Sequence, residues 1–148
     1  MSQHIQGRYF ISDVSAPLKA DKDSDIEWIC RCFGFLEPRD KMKTAARIFA
    51  ALLGVLGEKD GVSSDDLAEK VGLSRAAVVH HLNRMTSSGL IVRRDGVYRL
   101  RAENLENTII EVQRDVNRIF ENVTRIAREI DQSMNLPHRD PHFGTEFE

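Results

Sequence analysis

The sequence has few cysteine, proline and aromatic residues, and its composition is that of an ordinary globular protein. Of its 148 residues only two are cysteine and four are proline, and aromatic residues make up 7%. The cysteines, Cys30 and Cys32, are two positions apart, so in a helix they point about 200° away from each other. This spacing suits neither a disulfide nor a shared metal ion, and we expect both to be reduced thiols.

Long hydrophobic runs are also missing. No apolar run approaches the roughly 18 residues that a membrane-spanning helix needs, and the start, MSQHIQGRYF, lacks the basic and apolar regions of a secretory signal. We therefore expect a cytoplasmic protein without a membrane partner. The sequence has no glycine-rich phosphate loop, nucleophile elbow or cluster of metal ligands, so it predicts no enzyme, no cofactor and no metal site.

Charge is distributed unevenly along the chain. The formal net charge is only −2, but residues 41–101 contain 11 basic and 6 acidic groups. Residues 1–40 contain 5 basic and 7 acidic groups, and residues 102–148 contain 5 and 10. A basic module between two acidic extensions is the pattern expected when the module alone meets a polyanion.

The pattern of apolar residues and helix breakers divides the chain into five segments around one core. They are an N-terminal arm (1–23), an accessory helix (24–37), a compact module (38–101), a long helix (102–134) and a disordered tail (135–148). The accessory helix is predicted from apolar positions at helical spacing between Ile26 and Phe33, and Pro38 is expected to end it.

The compact module is predicted to begin with three helices. Asp40 is a plausible cap for the first, which runs to about Leu56. Ser63 is the expected cap of the second, with Asp66 three residues later as the reciprocal partner. A tight turn at residues 72–74 then leads into the third helix.

The third helix, from Ser74 to Gly89, has both of its ends marked in the sequence. Ser74 can cap the first free N–H groups, and Gly89 can adopt the left-handed conformation that closes the last turn. One face carries apolar residues at i, i+4 and i+7, namely Val78, Leu82 and Met85. The opposite face presents Arg75, Ala76, Val79, His80 and Asn83.

A β-hairpin is predicted directly after this helix. Two strand-like runs flank Asp95-Gly96, which is a strong signal for a two-residue hairpin loop. Four arginines would line the exposed parts of the ribbon. Helix, helix, turn, helix and hairpin is the order of a winged helix-turn-helix module, so the fold class is mostly α with a small β-hairpin wing.

The long helix from Glu103 to Met134 contains neither proline nor glycine, and its apolar residues recur at alternating intervals of 4 and 3. At 1.5 Å per residue the helix would be roughly 45 to 50 Å long, which is more than so small a domain can cover. We therefore predict a coiled-coil seam buried by a second copy of the chain, although the buried face of an intramolecular bundle is the alternative. The seam residues are Leu105, Ile109, Val112, Val116, Ile119, Val123, Ile126 and Ile130.

The run LSRAAVVHHLNRMTSSGLIVRRDGVYRL resembles the winged helix-turn-helix of prokaryotic transcription regulators of the ArsR, GbsR and MarR kinds. The resemblance covers residues 41–101 and rests on Leu73-Ser74, Val78, His81-Leu82, Gly89-Leu90 and the end of the wing at Tyr98 and Leu100. It implies a DNA-binding regulator that dimerises through its long C-terminal helix. The metal site of many ArsR-type sensors has no counterpart here, because DDLAEKV contains neither cysteine nor histidine.

From these residues we predict a homodimeric, sequence-specific regulator that binds double-stranded DNA. The third helix would lie in the major groove, with the wing on the adjacent backbone. Alanine and valine at 76, 77 and 79 stand where this motif often has hydroxyl residues, so few bases would be read. The predicted DNA-binding residues are Ser74, Arg75, Ala76, Val79, His80, Asn83, Arg84, Arg93, Arg94 and Arg99.

Other interpretations of the same features remain open. The module could bind protein instead of DNA, with the acidic C-terminal helix as the docking surface. The pair His80-His81 could ligate a metal ion or sense pH, but the resemblance implies that the second histidine packs against the core and the first faces outward. Cys30 and Cys32 lack the further ligands of a zinc site, which needs about four. If an unidentified small-molecule effector is sensed, its site is expected between the helix Ile26 to Leu36 and the long C-terminal helix.

Overall fold

The structure is a computed structural model, and it describes residues 7–18, 21–36 and 39–138. The chain divides into two compact units, Met1–Val112 and Gln113–Glu148, and the last helix runs through the division. The elements are α1 (Lys22–Cys32), α2 (Thr44–Leu56), α3 (Ser64–Val71), α4 (Arg75–Ser87), β1 (Ile91–Arg94), β2 (Val97–Leu100) and α5 (Leu105–Ser133).

The core of the first unit lies among α2, α3, α4 and the hairpin. α2 packs against α1, α3 and α4, and α4 also packs against α3 and β1. Burying one large aliphatic or aromatic side chain contributes about 1.5–3 kcal/mol, so these contacts hold the helices in place. The predicted fold class, a winged helix-turn-helix followed by a long helix, is confirmed. The largest fully buried side chains include Phe49, Ile48, Leu52, Leu67, Leu82, Met85, Leu90 and Ile91.

The wing is an antiparallel pair in which Ile91 lies opposite Leu100 and Arg94 opposite Val97. Its two loop residues, Asp95 and Gly96, have φ values of 52° and 79°, as a two-residue hairpin loop requires. Val62 joins the other side of β2 by two hydrogen bonds with Tyr98, of 2.8 and 3.0 Å. The loop before α3 therefore fixes the base of the wing to the helices.

The accessory helix differs from its predicted range of 24–37. It begins at Lys22, because the Asp21 carboxylate accepts a hydrogen bond from the Ser24 backbone N–H at 2.8 Å. Hydrogen bonds from Ser24 also lower the pKa of Asp21. The helix ends at Cys32, where Gly34 takes a φ of 75° and the Phe35 N–H donates to the Cys30 carbonyl. This left-handed closure stops the helix before Pro38.

The described part of the N-terminal arm, residues 7–18, packs against α1. The Ser12 N–H donates to the Cys32 carbonyl at 2.8 Å, and the Trp28 indole N–H donates to the Val14 carbonyl at 2.9 Å. Residues 1–6, 19 and 20 of the predicted arm lie outside the described residues. Two hydrogen bonds thus attach the arm to the end and the side of one helix.

The first core helix begins later than predicted. Its N-cap is Lys43, which has a φ of 51° and no side-chain capping bond. Asp40, the expected cap, lies three residues earlier, yet its carboxylate accepts from the backbone N–H groups of Met42 and Thr44, both at 3.1 Å. The predicted residue therefore satisfies one free donor of this helix, the Thr44 N–H, from a position outside the helix.

α5 is one uninterrupted helix of 29 residues, which makes it about 43 Å long. In the portion of the chain that the structure describes, no helix combines the length and the hydropathy needed to cross a membrane. Most of the predicted tail, from residue 139 onward, lies outside the described residues.

Candidate nucleic-acid interface

The start of α4 has the geometry that its sequence predicts. Gly72 has a φ of 72° and ends α3, so the chain turns within three residues. The Ser74 hydroxyl then accepts a hydrogen bond from the Ala77 N–H at 3.2 Å. At the other end Gly89, with a φ of 84°, closes the helix as the Leu90 N–H donates to the Met85 carbonyl. Both predicted ends of the helix are confirmed.

One face of α4 is completely buried in the core. Val78, Leu82 and Met85 have no exposed surface, and their i, i+4, i+7 spacing places them on one stripe. Packing of the buried face therefore holds the side chains of the opposite face in a defined orientation.

The N-terminal half of the opposite face is open to solvent. Ser74, Arg75 and Ala76 are exposed, and Val79 is half-buried. The Arg75 Nε lies 3.2 Å from an Asp65 carboxylate oxygen, with 64% of the arginine side chain and 76% of the aspartate side chain exposed. Ion pairs this exposed contribute about 0–1 kcal/mol, so Arg75 can exchange Asp65 for a phosphate at little cost.

The C-terminal half of that face is different. His80 and Asn83 are exposed but line a groove between α4 and the N-terminal arm. Arg84 is half-buried and donates from Nη2 to the Gly34 carbonyl at 2.8 Å. The structure thus gives Arg84 a contact within the chain, joining α4 to the segment after α1.

His81 lies beside His80 but in different surroundings. The two rings form an edge-to-face pair with centroids 5.3 Å apart. The Nδ1 atom of His81 is buried and has no hydrogen-bond partner among the described residues. Burial, followed by the neighbouring His80 and Arg84, lowers the pKa of His81. His81 therefore favours the neutral form, and His80 is the member of the pair that faces outward.

The arginines of the wing lie on two faces of the ribbon. Alternation along the strands places Arg93 on the face of Tyr98, and its guanidinium lies 5.8 Å from the centre of the Tyr98 ring. Arg94 and Arg99 lie on the other face. Arg93 and Arg94 are exposed and Arg99 is half-buried. The tip of the wing therefore presents positive charge on both sides.

The predicted dimerisation residues fall into two groups along α5. In the first unit Val112 is buried, and Leu105 and Ile109 are half-buried. In the second unit Val116 is half-buried, whereas the four that follow are exposed by 41–57%. These four are Ile119, Val123, Ile126 and Ile130.

Two arginines outside the predicted DNA-binding residues also lie near α4. Arg8 of the arm and Arg31 of α1 line the same groove as His80 and Asn83. They are 72 and 49 positions away from His80 in the chain, so no local pattern could connect them with α4. The only signal was their charge.

The cysteines Cys30 and Cys32 are free thiols. No group of three or more histidine, cysteine, aspartate or glutamate side chains is arranged to hold a metal ion within residues 7–18, 21–36 and 39–138. Cys30 is fully buried, and desolvation raises the pKa of its thiol to about 12. This thiol stays protonated and unreactive at neutral pH.

Comparison with known proteins adds one finding. No curated protein and no solved structure matches this chain significantly. Residues 51–92 match the family model of winged helix-turn-helix DNA-binding domains. The match begins in α2 and ends in β1, so it includes all of α3, the turn and α4. Over these residues the chain is similar to a winged helix-turn-helix DNA-binding domain, whereas the ArsR, GbsR or MarR kind is not resolved.

Proposed function

We propose that this chain is a homodimeric, sequence-specific DNA-binding regulator of transcription. The observation that carries the proposal is the exposed N-terminal half of α4, which is oriented by a fully buried opposite face in a segment similar to DNA-binding domains. The three residues Ser74, Arg75 and Ala76 lie at the helix end that enters the major groove in helix-turn-helix proteins. The positive end of the helix dipole adds to the attraction for phosphate there.

Binding energy would come mainly from contacts with the DNA backbone. Arg75 and the wing-tip arginines Arg93 and Arg94 are exposed and would contact phosphates in the proposed complex. Each neutralised phosphate releases counterions and makes the affinity depend on salt. Arg84 would contribute less, because its guanidinium already donates to the Gly34 carbonyl.

Base recognition by α4 would be modest. Ala76 and Val79 offer only apolar contact, which suits a thymine methyl group, and Asn83 offers an amide that can pair with adenine. A helix that contacts so few bases needs a second copy of the chain to define a specific DNA site. Dimerisation through α5 would impose two-fold symmetry, so we expect a palindromic site with half-sites about 34 Å apart.

The test is DNA binding by fluorescence anisotropy, with fragments selected from the host genome by the purified protein. Two variants remove the proposed contacts, namely Arg75→Ala and the double change Arg93→Ala, Arg94→Ala. Each lost phosphate contact should weaken binding and reduce the slope of log K against log salt by about 0.9. Both variants should leave the ranking of selected fragments unchanged, because phosphate contacts carry no direct sequence information.

Arg114→Ala is the matched control, because it removes the same charge from an exposed position of α5 on the side away from the seam. Its affinity should equal that of the wild type. If neither arginine variant weakens binding to any duplex at low salt, the DNA assignment fails. The chain would then be better explained as a winged helix that binds protein.

A further inference from the structure

A groove of about 1190 Å³ lies between the N-terminal arm and α4. Its three walls are the arm, the end of α1 with the segment after it, and the C-terminal half of α4. Ligand sites in proteins commonly have volumes of about 300–1,000 Å³. The groove is thus large enough to take a small organic molecule. All of its lining residues belong to the first unit.

The arm is attached at defined points and does not simply lie across a gap. Ser12 and Val14 are hydrogen-bonded to α1, as described above. The Phe10 ring lies directly on Gly34, where an added Cβ atom would come within 2.6 Å of it. The Arg84 bond to the Gly34 carbonyl connects the same glycine to α4. Gly34 is therefore the point at which the three walls of the groove meet.

The lining combines aromatic rings with positive charge. Phe10, Phe33 and Phe35 supply apolar surface, and the rings of Phe33 and Phe35 stack with centroids 6.3 Å apart. Arg8 and Arg31 supply guanidinium groups that are exposed. No carboxylate lines the groove in the described parts of the chain. This chemistry fits an anion with an aromatic body, because guanidinium groups bind carboxylate, sulfonate or phosphate and also stack on rings.

A second groove has a lining of the opposite charge. It lies between α1, α2 and the first residue of α5, close to where the sequence analysis expected an effector site, and it has about half the volume, 620 Å³. Its charged lining residues are Asp21, Asp23, Asp25 and Lys22. Three carboxylates outweigh one ammonium group and would repel an organic anion, so the two grooves differ in the sign of the ligand that they favour.

We propose that the groove between the arm and α4 binds a small organic anion with an aromatic body, and that its occupation weakens DNA binding. The second part rests on the proposed function and follows from shared residues. His80 and Asn83 line the groove and also lie on the outward face of α4. A ligand that engages them withdraws them from the DNA and places negative charge next to the phosphates. By linkage, DNA weakens the ligand by the same factor.

The first experiment uses the purified full chain without DNA. The probe is 8-anilinonaphthalene-1-sulfonate, which has an aromatic body and one negative charge. We expect saturable fluorescence enhancement with one site per chain. The double variant Arg8→Gln, Arg31→Gln should weaken the probe by roughly tenfold or more, because it removes two charge-assisted contacts. N-phenyl-1-naphthylamine, which lacks the sulfonate, should bind the two proteins equally.

A charge-matched control separates this groove from general attraction of the probe. The double change Arg114→Gln, Arg128→Gln removes two exposed arginines of α5 and should leave probe binding unchanged. Amide chemical-shift changes on titration should centre on Ser12, Gly34 and Ser87. Equal probe binding by the Arg8, Arg31 variant and the wild type, or loss of binding in the α5 control, would overturn the assignment of the site.

The second experiment repeats the DNA titration at saturating probe. The apparent Kd for DNA should rise severalfold in the wild type and stay constant in the Arg8→Gln, Arg31→Gln variant. Failure of the proposed function would appear as absence of DNA binding without the probe, whatever the probe does. Normal DNA binding that the bound probe does not change would overturn the coupling of the two sites.

Discussion

The helices α4 and α5 carry the same kind of apolar stripe, but only the stripe of α4 is covered along its whole length. Val78, Leu82 and Met85 of α4 have no exposed surface, whereas Ile119 and Val123 of α5 are exposed by 41% and 57%. The spacing of apolar residues therefore predicts that one face of a helix is buried, but it does not identify the segment or chain that covers this face. The stripe of α4 is covered by elements of its own chain, because α4 packs against α2, α3 and β1.

The difference in burial between the two stripes also affects the free energy of folding. Complete burial of an aliphatic side chain contributes about 1.5–3 kcal/mol. The four exposed seam residues of α5 leave part of this stabilisation unrealised in a single chain. A second copy with the same seam could supply it, which is the physical basis of the proposed dimer. The two helices should therefore respond differently to mutation.

The largest effect on folding should come from the covered stripe. Leu82→Ala removes three carbon atoms from a site with no exposed surface and should lower the free energy of unfolding by about 2–5 kcal/mol. Urea titration at fixed protein concentration measures this, with the fluorescence of Trp28, the single tryptophan, as the probe. Leu18→Ala makes the same change at a fully exposed position and should have almost no effect. Equal losses in both variants would contradict the core position of Leu82.

The uncovered stripe should respond in assembly instead. Ile119→Asp places a charge in the proposed seam and should convert dimers to monomers in sedimentation equilibrium, because a buried unpaired charge is costly. Asn117→Asp adds the same charge at an exposed position two residues away, off the seam, and should leave the mass of the particle unchanged. An unchanged mass for Ile119→Asp would contradict the coiled coil.

The features that the sequence predicted correctly are local ones. The caps at Ser74 and Gly89 and the hairpin loop at Asp95-Gly96 each depend on a few neighbouring residues. Their conformations follow from side-chain oxygens that accept backbone N–H groups and from glycine in the left-handed region. Periodicity likewise identified the buried face of α4, because a helix places residues four and seven positions apart on one side.

The features that it did not predict depend on contacts between distant segments. Arg84 is among the predicted DNA-binding residues, yet it donates to the Gly34 carbonyl, 50 positions away. Arg8 and Arg31 lie in no recognisable sequence pattern, so only the fold connects them with α4. The predicted end of α1 is too late because Phe35 and Leu36 continue an apolar run, whereas the helix ends at Cys32. They are buried in a non-helical segment after Gly34.

The cap of α4 offers a way to separate folding from DNA binding at one residue. Ser74→Ala removes the acceptor of the Ala77 N–H and should cost about 0.5–2 kcal/mol of unfolding free energy. Ser74→Asp keeps a capping oxygen and should retain stability, but it places a negative charge towards the phosphates and should weaken DNA binding. Urea titration and anisotropy on both variants provide the comparison. DNA binding by Ser74→Asp at the wild-type level would place this helix end away from DNA.

The contact of Arg84 should have a smaller effect. Arg84→Gln loses the charged donor to the Gly34 carbonyl and should lower the free energy of unfolding by about 1 kcal/mol. Because the guanidinium is already engaged, the salt dependence of DNA binding should change less than in Arg75→Ala. A reduction of the salt slope as large as that in Arg75→Ala would instead make Arg84 a phosphate ligand.

The smallest effect should come from the neutral histidine of α4. Burial, His80 and Arg84 lower the pKa of His81 from its ordinary value of 6.5, while Asp40 opposes the shift. As the pH falls through the unfolded-state value, the unfolded chain takes up the proton first. Stability contributed by neutral His81 is therefore present above pH 6.5 and declines below it.

Urea titrations between pH 7.5 and 5.5 should consequently show a smaller loss of stability in His81→Gln than in the wild type. His138→Gln, which removes an exposed histidine beyond the end of α5, should follow the wild-type curve. A steeper loss in His81→Gln would mean that the folded chain stabilises the protonated ring. His81 would then belong to the solvent-facing side of α4, and the division between its covered and open faces would lie elsewhere.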